Sequence, residues 1–464
     1  LTAQSLTPDL HVYDIERVEV LMGPQGTLYG SSSTSGNIKI ITKKPDTSSL
    51  DYGFDVEYGS INEGSIDNSL EAFVNIPIGS NMAARLSAYN VQDGGWIDNQ
   101  EASYTYQNGG INYTINNFTD PYDVAEKNYN DSTKEGARLR LAGEFDNFDL
   151  DISFLTQDSV VNGSYETDVM NDLQTYNLPD RTNTRFAPEI YKDNFDQMSI
   201  SLSGSITDDI DVVLTTSIFE RDTEYTYDYS SYVEYYSYAA YSYYVCNYYE
   251  YYGYYYIDIN DCRDPRMTYA QSNDIERTAT EIRVSSDNDS GFNWVLGAFQ
   301  ETNEKVTDVD YLQPGGSYFT SGLSGTWWEA DLDRKGEIQA IFGEAYIDIN
   351  DKTQLTVGFR NYDQDMDLTA SNGYYGAYLF GISNQNFKSS ESGTIPKVNI
   401  KHNISDDLMV YGTYTEGFRP SGVNRLRPTD PAPKTYDADY LESLELGFIS
   451  TMKDGKLVMN GAVY

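Results

Sequence analysis

The chain has 464 residues, with 31 basic against 72 acidic side chains and a formal net charge of −41 at pH 7. Hydrophobic residues make up 39% of it and aromatic residues 14%, which is more apolar surface than a disordered acidic chain carries. The negative charge repels phosphate backbones and no run of lysines or arginines offsets it, so binding to nucleic acid is disfavoured.

The first predicted element, residues 14–45, differs from everything that follows it. It begins as a short strand, Glu16-Arg17-Val18-Glu19-Val20-Leu21, continues through a Gly-Pro turn and a small-residue loop, and ends as a second short strand before Pro45. The segment is too compact for a series of long hairpins. We expect its glycines to serve turns with φ > 0, at Gly23, Gly26, Gly30 and Gly36.

From residue 51 onward, apolar and polar residues alternate with a period of two. Leu139 and Leu141, for example, alternate with Arg138 and Arg140, which gives a strand one apolar face. The period predicts fifteen strands, near 52–59, 66–77, 82–91, 135–146, 148–158, 195–206, 210–222, 276–287, 292–304, 337–349, 353–365, 394–404, 408–417, 439–451 and 455–464.

The connections between these strands alternate in length. Short turns, such as 79–81 and 405–407, alternate with long loops at 92–134, 159–194, 223–275, 305–336, 366–393 and 418–438. This asymmetry is typical of an outer-membrane β-barrel, with short periplasmic turns and long extracellular loops. A soluble β-sandwich also alternates, but its strands are shorter and its loops are not segregated in this way.

Other classes of protein lack support in the sequence. No stretch of about 18 apolar residues exists, so a helical membrane span is excluded. The two histidines, His11 and His402, lie far from Cys246 and Cys262, so the usual zinc sites cannot be assembled, and we expect no metal and no cofactor. No carboxylate has a plausible nucleophile and orienting group beside it, so we assign no catalytic residue and expect no enzyme.

The segment 225–256 holds 17 tyrosines in 32 residues and is expected at the rim of the barrel that carries the long loops. Tyrosine can stack on a ligand while its hydroxyl stays in water, and the candidate ligand-binding residues are Tyr235, Tyr236, Tyr243, Tyr244, Tyr248, Tyr249, Tyr251 and Tyr252. An aromatic girdle at the membrane interface and low-complexity drift are the alternatives. Cys246 and Cys262, with fifteen residues between them, are predicted to form a disulfide in an oxidising exterior.

Several motifs resemble those of the TonB-dependent outer-membrane receptors. The run Glu16-Arg17-Val18-Glu19-Val20-Leu21, then Gly23-Pro24-Gln25-Gly26-Thr27-Leu28-Tyr29-Gly30, then Ile41-Thr42-Lys43-Lys44-Pro45, is similar to the last part of that family's plug domain. Phe342-Gly343-Glu344-Ala345-Tyr346, Tyr411-Gly412-Thr413-Tyr414-Thr415-Glu416-Gly417-Phe418-Arg419-Pro420 and Glu442-Ser443-Leu444-Glu445-Leu446-Gly447-Phe448 resemble its barrel strands in the same order.

The resemblance implies an all-β fold: a transmembrane antiparallel β-barrel of a 22-strand type with an N-terminal plug. We expect residues 1–50 to be the C-terminal part of the plug and 51–464 an incomplete barrel, with the segment gripped by the energy-coupling protein missing before Leu1. The implied plug motif comprises Glu16, Arg17, Glu19, Gly23, Pro24, Gly26, Tyr29, Gly30, Gly36 and Lys44. Arg17 and Lys44 are expected to face wall carboxylates, with Glu344, Glu416 and Glu445 as candidates, unless both are merely solvated.

The function that the resemblance implies is active import of a scarce ligand, most often a ferric siderophore, across the bacterial outer membrane. The implied partners are the TonB energy-coupling complex, outer-membrane lipid and that ligand. A passive porin, a surface adhesin or a glycan-binding barrel is the alternative, and the plug-like residues 14–45 argue against it.

Overall fold

The structure is a computed structural model of the chain. It describes residues 7–108, 111–119, 122–166, 180–230, 246–262, 264, 266–313, 325–374, 382–424, 433–453 and 455–464. Strands dominate these residues, and the one helix among them has four residues. Within the described part of the chain, no helix is long and apolar enough to cross a membrane.

In chain order the elements are β1 (Ile15–Met22), α1 (Gly26–Tyr29), β2 (Gly36–Thr42), β3 (Asp51–Ser60), β4 (Ile66–Pro77), β5 (Met82–Asp93), β6 (Asp98–Asn99), β7 (Ser103–Asn108), β8 (Ile111–Asn116), β9 (Phe118–Thr119), β10 (Tyr122–Asp123), β11 (Ser132–Glu144), β12 (Asp149–Asn162), β13 (Thr182–Asn183), β14 (Ile190–Thr207), β15 (Ile210–Asp228), β16 (Cys246–Tyr251), β17 (Tyr254–Cys262), β18 (Thr268–Ser286), β19 (Phe292–Leu312), β20 (Thr326–Asn350), β21 (Thr353–Tyr374), β22 (Ile382–Ser405), β23 (Leu408–Arg419), β24 (Gly422–Val423), β25 (Thr435–Tyr436), β26 (Asp439–Met452) and β27 (Leu457–Val463).

Fifteen of these strands form a single antiparallel wall. Its order is β3-β4-β5-β11-β12-β14-β15-β18-β19-β20-β21-β22-β23-β26-β27, so each strand pairs with the wall strands before and after it in the chain. Among the described residues, β3 and β27 are the two edges of an open sheet. The fifteen strands predicted from periodicity are all present, and the predicted incomplete wall with two unpaired edges is confirmed.

The predicted loop boundaries are wrong on the long-loop side, because the strands continue there as long ladders. The strand β19 reaches Leu312 instead of residue 304, and β20 begins at Thr326 instead of residue 337. Beyond Ala298, the outward positions of β19 become polar, as at Gln300 and Glu304. The apolar alternation that marks a strand in the sequence is lost there, although backbone pairing continues.

The wall is apolar outside and polar inside. The register aligns Leu86, Leu139, Phe154, Met198 and Ile218 across five neighbouring strands, and all five side chains are exposed on the outer face. The positions between them face inward and include buried polar side chains. A soluble protein would bury such a row of large apolar side chains, whereas a membrane barrel presents it to lipid.

Candidate functional site

The N-terminal segment, residues 7–50, crosses the concave face of the wall and contacts it at two places. Strand β1 pairs with β2, and α1 lies between them. One contact region joins residues 9–14 and Thr42 to β4, β5, β11 and β12. The other joins residues 24–32 to β18, β20 and β23.

The first contact is built around Asp14, whose side chain is 1% exposed. The guanidinium of Arg85 donates to both carboxylate oxygens, with Nε to Oδ2 at 2.8 Å and Nη2 to Oδ1 at 2.6 Å. Arg138 donates to the Asp14 carbonyl at 2.7 Å, and Arg85 also lies over the ring of Phe73 at 4.2 Å. Asp14 has a φ of +50°, a conformation that non-glycine residues seldom adopt. The wall therefore holds the segment through one buried carboxylate shared by two arginines.

A second group of contacts lies beside it, around His11. The ring of His11 packs against Tyr89 with centroids 4.5 Å apart, and its Nε2 contacts Glu71 Oε1. The His11 N–H and the Tyr89 hydroxyl both donate to Gln157 Oε1, at 3.0 and 2.8 Å. Gln157 in turn donates to the carbonyl of Asp9 at 3.0 Å. Both backbone and side chains thus fix this stretch on the wall.

The second contact region brings two of the sequence motifs together. Gly26, from Gly-Pro-Gln-Gly, lies so close to β23 that a Cβ on it would be 2.7 Å from the carbonyl oxygen of Glu416. A Cβ on Gly417 would meet the Cα of Thr34 at 2.9 Å. The Ser32 N–H donates to the Phe418 carbonyl at 2.9 Å. Glycine at both positions permits backbone-to-backbone contact, which explains why both motifs need small residues there.

Strand pairing explains why the Phe418 carbonyl is available to accept from Ser32. The pairing of β22 with β23 extends only from Ser405↔Leu408 to Lys397↔Thr415. Beyond Thr415, β23 still pairs with β26, as far as Arg419↔Asp439. The N-terminal segment therefore approaches β23 where the pairing with β22 has ended.

Arg360 lies beneath the same part of the segment. It is 3% exposed, and its guanidinium lies 5.3 Å from the ring centres of both Phe299 and Phe342. Its Nε has no hydrogen-bond partner in the part of the chain that the structure describes. Gly30 covers it with a φ of +78°, and a Cβ there would lie 3.1 Å from Arg360 Nη2. Any larger residue at position 30 would push on this buried arginine.

A cavity of about 460 Å³ separates part of the segment from the wall. It is bordered by Gly23, Pro24 and Tyr29 on the segment and by Glu344 and Lys397 on the wall. Glu344 is buried and accepts from Lys397 Nζ at 2.8 Å and Thr27 Oγ1 at 3.2 Å. This carboxylate is already neutralised by a cation of the wall.

The predicted partners of Arg17 and Lys44 are not found. Arg17 is exposed and donates to Glu16 and, at 2.7 Å, to Glu19 on its own strand, while the exposed Lys44 makes no ion pair among the described residues. The carboxylates proposed for them have other partners: Lys397 for Glu344, the hydroxyl of Tyr414 for Glu416 and that of Tyr411 for Glu445. The ionic contact has the opposite polarity, because the segment supplies Asp14 and the wall supplies the arginines.

The other residues of the predicted plug motif lie as follows. Gly23, Gly30 and Gly36 have positive φ, as expected, whereas Gly26 lies in α1 and is needed for its close contact instead. Pro24 accepts from Thr415 Oγ1 through its carbonyl at 3.3 Å. The ring of Tyr29 lies 5.8 Å from Lys39 Nζ.

The tyrosine-rich segment is only partly described. Tyr235, Tyr236, Tyr243 and Tyr244 lie outside the described residues. Tyr248 and Tyr249 lie on β16, while Tyr251 and Tyr252 are exposed where the hairpin turns toward β17. The backbone register places Cys246 opposite Cys262, which is compatible with the predicted disulfide, and no free cysteine occurs among the described residues.

A separate aromatic cluster was missed by the sequence analysis. Tyr269, Tyr311 and Trp328 align across β18, β19 and β20, with Tyr311 in edge-on contact with both neighbours at 5.1 and 5.4 Å. Ile115 of β8 is fully buried against this cluster. Its rings come from three separate strands, so only the register could have revealed it.

Comparisons with known proteins agree with this architecture. The family model "TonB dependent receptor-like, beta-barrel" matches residues 172–464. This chain belongs to that family. The family is one of outer-membrane β-barrels, and the chain is an outer-membrane protein whose fold is a wall of such a barrel.

Solved structures of receptors share the fold. The ferric yersiniabactin uptake receptor of Yersinia pestis is similar over 97% of this chain and 59% of its own, with a TM-score of 0.71 and 16% identity. The siderophore receptor PiuA of Acinetobacter baumannii is similar over 99% and 63%, with a TM-score of 0.66 and 12% identity. The pesticin receptor of Yersinia enterocolitica is 47% identical over 51 residues, 11% of this chain and 7% of that protein. The chain spans less than two thirds of each of these relatives.

Proposed function

We propose that this chain receives a ferric siderophore and passes it across the outer membrane in a TonB-dependent import cycle, with no enzymatic activity of its own. In this proposal residues 1–50 belong to the plug and residues 51–464 form the barrel wall. The observation that carries it is the N-terminal segment, which crosses the concave face and is held at both ends by buried contacts. The similar structures support it, because one is named a ferric yersiniabactin uptake receptor and the other a siderophore receptor.

The contacts of the segment explain why import would need energy. Breaking a buried ion pair such as Asp14–Arg85 costs about 3–5 kcal/mol, since each charge loses its partner in a poorly solvated place. The backbone contact at Phe418 and the hydrogen bond to Glu344 would have to break as well. The outer membrane holds no energy source, so we infer that the TonB complex supplies the work from the inner membrane.

The tyrosine-rich segment would act in ligand capture. Tyr251 and Tyr252 are exposed at the hairpin of β16 and β17, on the long-loop side of the wall, where a ligand arrives before it meets the N-terminal segment. If three or four tyrosines of this region stack on the ligand at roughly 0.5–1.5 kcal/mol each, their replacement by serine weakens binding by one to three orders of magnitude. Transport at saturating ligand should change little. Unchanged affinity would instead support the alternative that the tyrosines arose by low-complexity drift and bind no ligand.

A reversible tether between the segment and the wall tests the central step. A Cβ on Gly417 would lie 3.1 Å from the Cβ of Pro24, slightly closer than the 3.5–4.5 Å of natural disulfides. Pro24→Cys with Gly417→Cys should therefore form a crosslink after a small adjustment. We expect oxidised cells to lose uptake of the radioactive iron complex and reduced cells to regain it, while each single variant responds to neither treatment.

The same cells separate active import from the alternative. Collapse of the proton-motive force should abolish uptake in the untethered protein, because nothing then displaces the segment. Uptake that continues after this treatment, or in fully crosslinked protein, would favour a passive porin and contradict the proposal.

A further inference from the structure

A proline, Pro396, lies in the interior of β22, between two neighbouring wall strands. The ladder of β22 with β21 continues on both sides of it without a register shift. Among the described residues, the ladder with β23 stops one residue short of it, at Lys397↔Thr415. Proline has no N–H to donate, and within sheets it is mostly confined to edge strands. Its presence in an interior strand therefore calls for a reason.

The N–H that Pro396 lacks is one that would point at β23. Successive residues of an antiparallel strand turn their N–H and C=O groups toward opposite neighbours. The Asn403 N–H donates to the carbonyl of Lys352, next to β21, at 2.8 Å, so the odd-numbered residues of β22 face β21 and the even-numbered ones face β23. Pro396 therefore leaves the ladder with β21 intact and removes one donor toward β23.

The same reasoning shows which carbonyls of β23 face β22. The Thr451 N–H donates to the carbonyl of Asp407, next to β23, at 2.9 Å, so the odd-numbered residues of β23 face β26. The even-numbered residues, including Glu416 and Phe418, turn their carbonyls toward β22. Both lie just beyond the last residue of β23 that pairs with that strand.

The N-terminal segment takes the place of β22 at these two carbonyls. If the register of β22 with β23 continued, the Thr394 N–H would be the donor to the Phe418 carbonyl. In the structure Ser32 donates to that carbonyl at 2.9 Å, and a Cβ on Gly26 would be only 2.7 Å from the carbonyl oxygen of Glu416. The segment and the upper part of β22 thus compete for the same edge of β23.

The ring of Phe418 shows that the two strands are apart at this level. In the paired part of β23, the even-numbered Tyr414 is opposite Val398, which is exposed on the outer face. Phe418 is also even-numbered, yet it is 1% exposed and stacks at 4.2 Å on Tyr362, an inward residue of β21 two positions from Arg360. A continued ladder would leave Phe418 and Tyr362 on opposite faces of the wall.

We propose that Pro396 is a positioning residue that reserves the edge of β23 for the N-terminal segment. It withholds one donor and so ends the ladder of β22 with β23. The Phe418 carbonyl then stays available to Ser32 and is not taken by Thr394. The inference concerns docking of the segment, and its part in import rests on the proposed function.

The experiment restores the missing N–H in purified full-length protein. Pro396→Val and Pro396→Ala each add a donor toward Glu416 and allow Thr394 to donate to Phe418. We expect amide exchange at Ser32 to accelerate about tenfold, the effect of one or two net hydrogen bonds, and exchange at Thr394 to slow. The two variants should agree, because the backbone N–H and not the side chain is the cause.

Pro77→Val is the matched control. Pro77 is the last residue of β4 and lies two positions beyond Asn75, the last residue of that strand to pair with β3. Ile78 donates to the Met82 carbonyl at 2.7 Å, so an N–H at position 77 would face the β3 side, where the ladder has ended. This variant should leave exchange at Ser32 unchanged.

The melting temperature separates competition from general damage. A longer ladder should leave the melting temperature of both Pro396 variants equal to or above that of Pro77→Val, which shares the loss of a proline ring from the unfolded chain. Unchanged exchange at Ser32 in both variants, or faster exchange together with a melting temperature below that of the control, overturns the proposal.

None of these measurements involves transport, so the two proposals can fail separately. A negative result at Pro396 leaves the import function standing. Uptake by wild-type cells without a proton-motive force would refute energised import, and the docking role of Pro396 would still be decided by the exchange rates alone.

Discussion

Replacement of Asp14 by asparagine should release the N-terminal segment from the first of its two contact regions on the wall. The change keeps the size of the side chain and removes the negative charge. Asp14 is 1% exposed, and Arg85 and Arg138 are 7% and 11% exposed, so two buried guanidinium groups lose their common counter-charge. Loss of one partner from such a buried group costs about 3–5 kcal/mol. The equilibrium between docked and released segment should therefore shift by about two to four orders of magnitude.

Hydrogen exchange of the full-length protein measures this shift directly. Amides of β1 and β2 should exchange faster in Asp14→Asn, while those of a distant wall strand such as β19 should not change. Glu16→Gln, two residues further along the chain in β1, is the matched control, because Glu16 pairs with Arg17 at the exposed surface and exposed pairs contribute little. It should leave protection of both strands unchanged.

A compensated variant tests whether charge is the cause. Asp14→Asn combined with Arg85→Met and Arg138→Met removes the whole buried group, and it should lose less protection than the single variant because no uncompensated cation remains. Unchanged protection in Asp14→Asn, or a triple variant as labile as the single one, would refute the reasoning.

Three further predictions concern other parts of the chain. Gly26→Ala should destabilise docking of the segment by about 1–3 kcal/mol through overpacking against β23. Gly59→Ala on β3 is the control, because an added Cβ there would lie at an ordinary contact distance of 3.4 Å from Asp67 Oδ2, and it should leave docking unaffected in the same exchange assay. Burial raises the pKa of Glu189 although Arg185, 3.3 Å away, opposes the shift, so the stability that this group contributes falls as pH rises from its unfolded-state pKa through its folded-state pKa. The loss of melting temperature between pH 4 and pH 7 should therefore be smaller in Glu189→Gln than in the wild type. Cys246 and Cys262 should resist thiol labelling in unreduced, denatured protein, because we expect them to form a disulfide. Closing a loop of about 15 residues stabilises the folded state by roughly 3 kcal/mol. Two labelled thiols would contradict this prediction.

Much of the wall could be predicted from the sequence, because its alternation is a local signal. A lipid-facing strand must place an apolar side chain at every second position, as Leu139 and Leu141 do, and this pattern survives without knowledge of any neighbour. The signal stops where the outer positions leave the lipid. The extensions of β19 and β20 carry polar residues on that face, so their strands were read as loops.

The site was harder to predict, because its contacts join residues far apart in the chain. The sequence indicated that Arg17 would meet a wall carboxylate, yet a strand with alternating charge can satisfy itself, and Arg17 pairs with Glu16 and Glu19. Asp14, only three positions earlier, is the buried anchor, and nothing in its local pattern distinguishes it from the many other aspartates of this acidic chain.

By itself the sequence determined the class of fold, the number of wall strands and the family, since these depend on local periodicity and on short motifs. Only the tertiary structure decided which charges meet. Arg85 and Arg138 lie on separate strands, and they share Asp14 because the register of β5 with β11 places Arg85 opposite Arg140 and so makes Arg138 its diagonal neighbour on the inner face. Register is set by the apolar patterns of both paired strands together with the geometry of the turn that joins them, and no single strand encodes it.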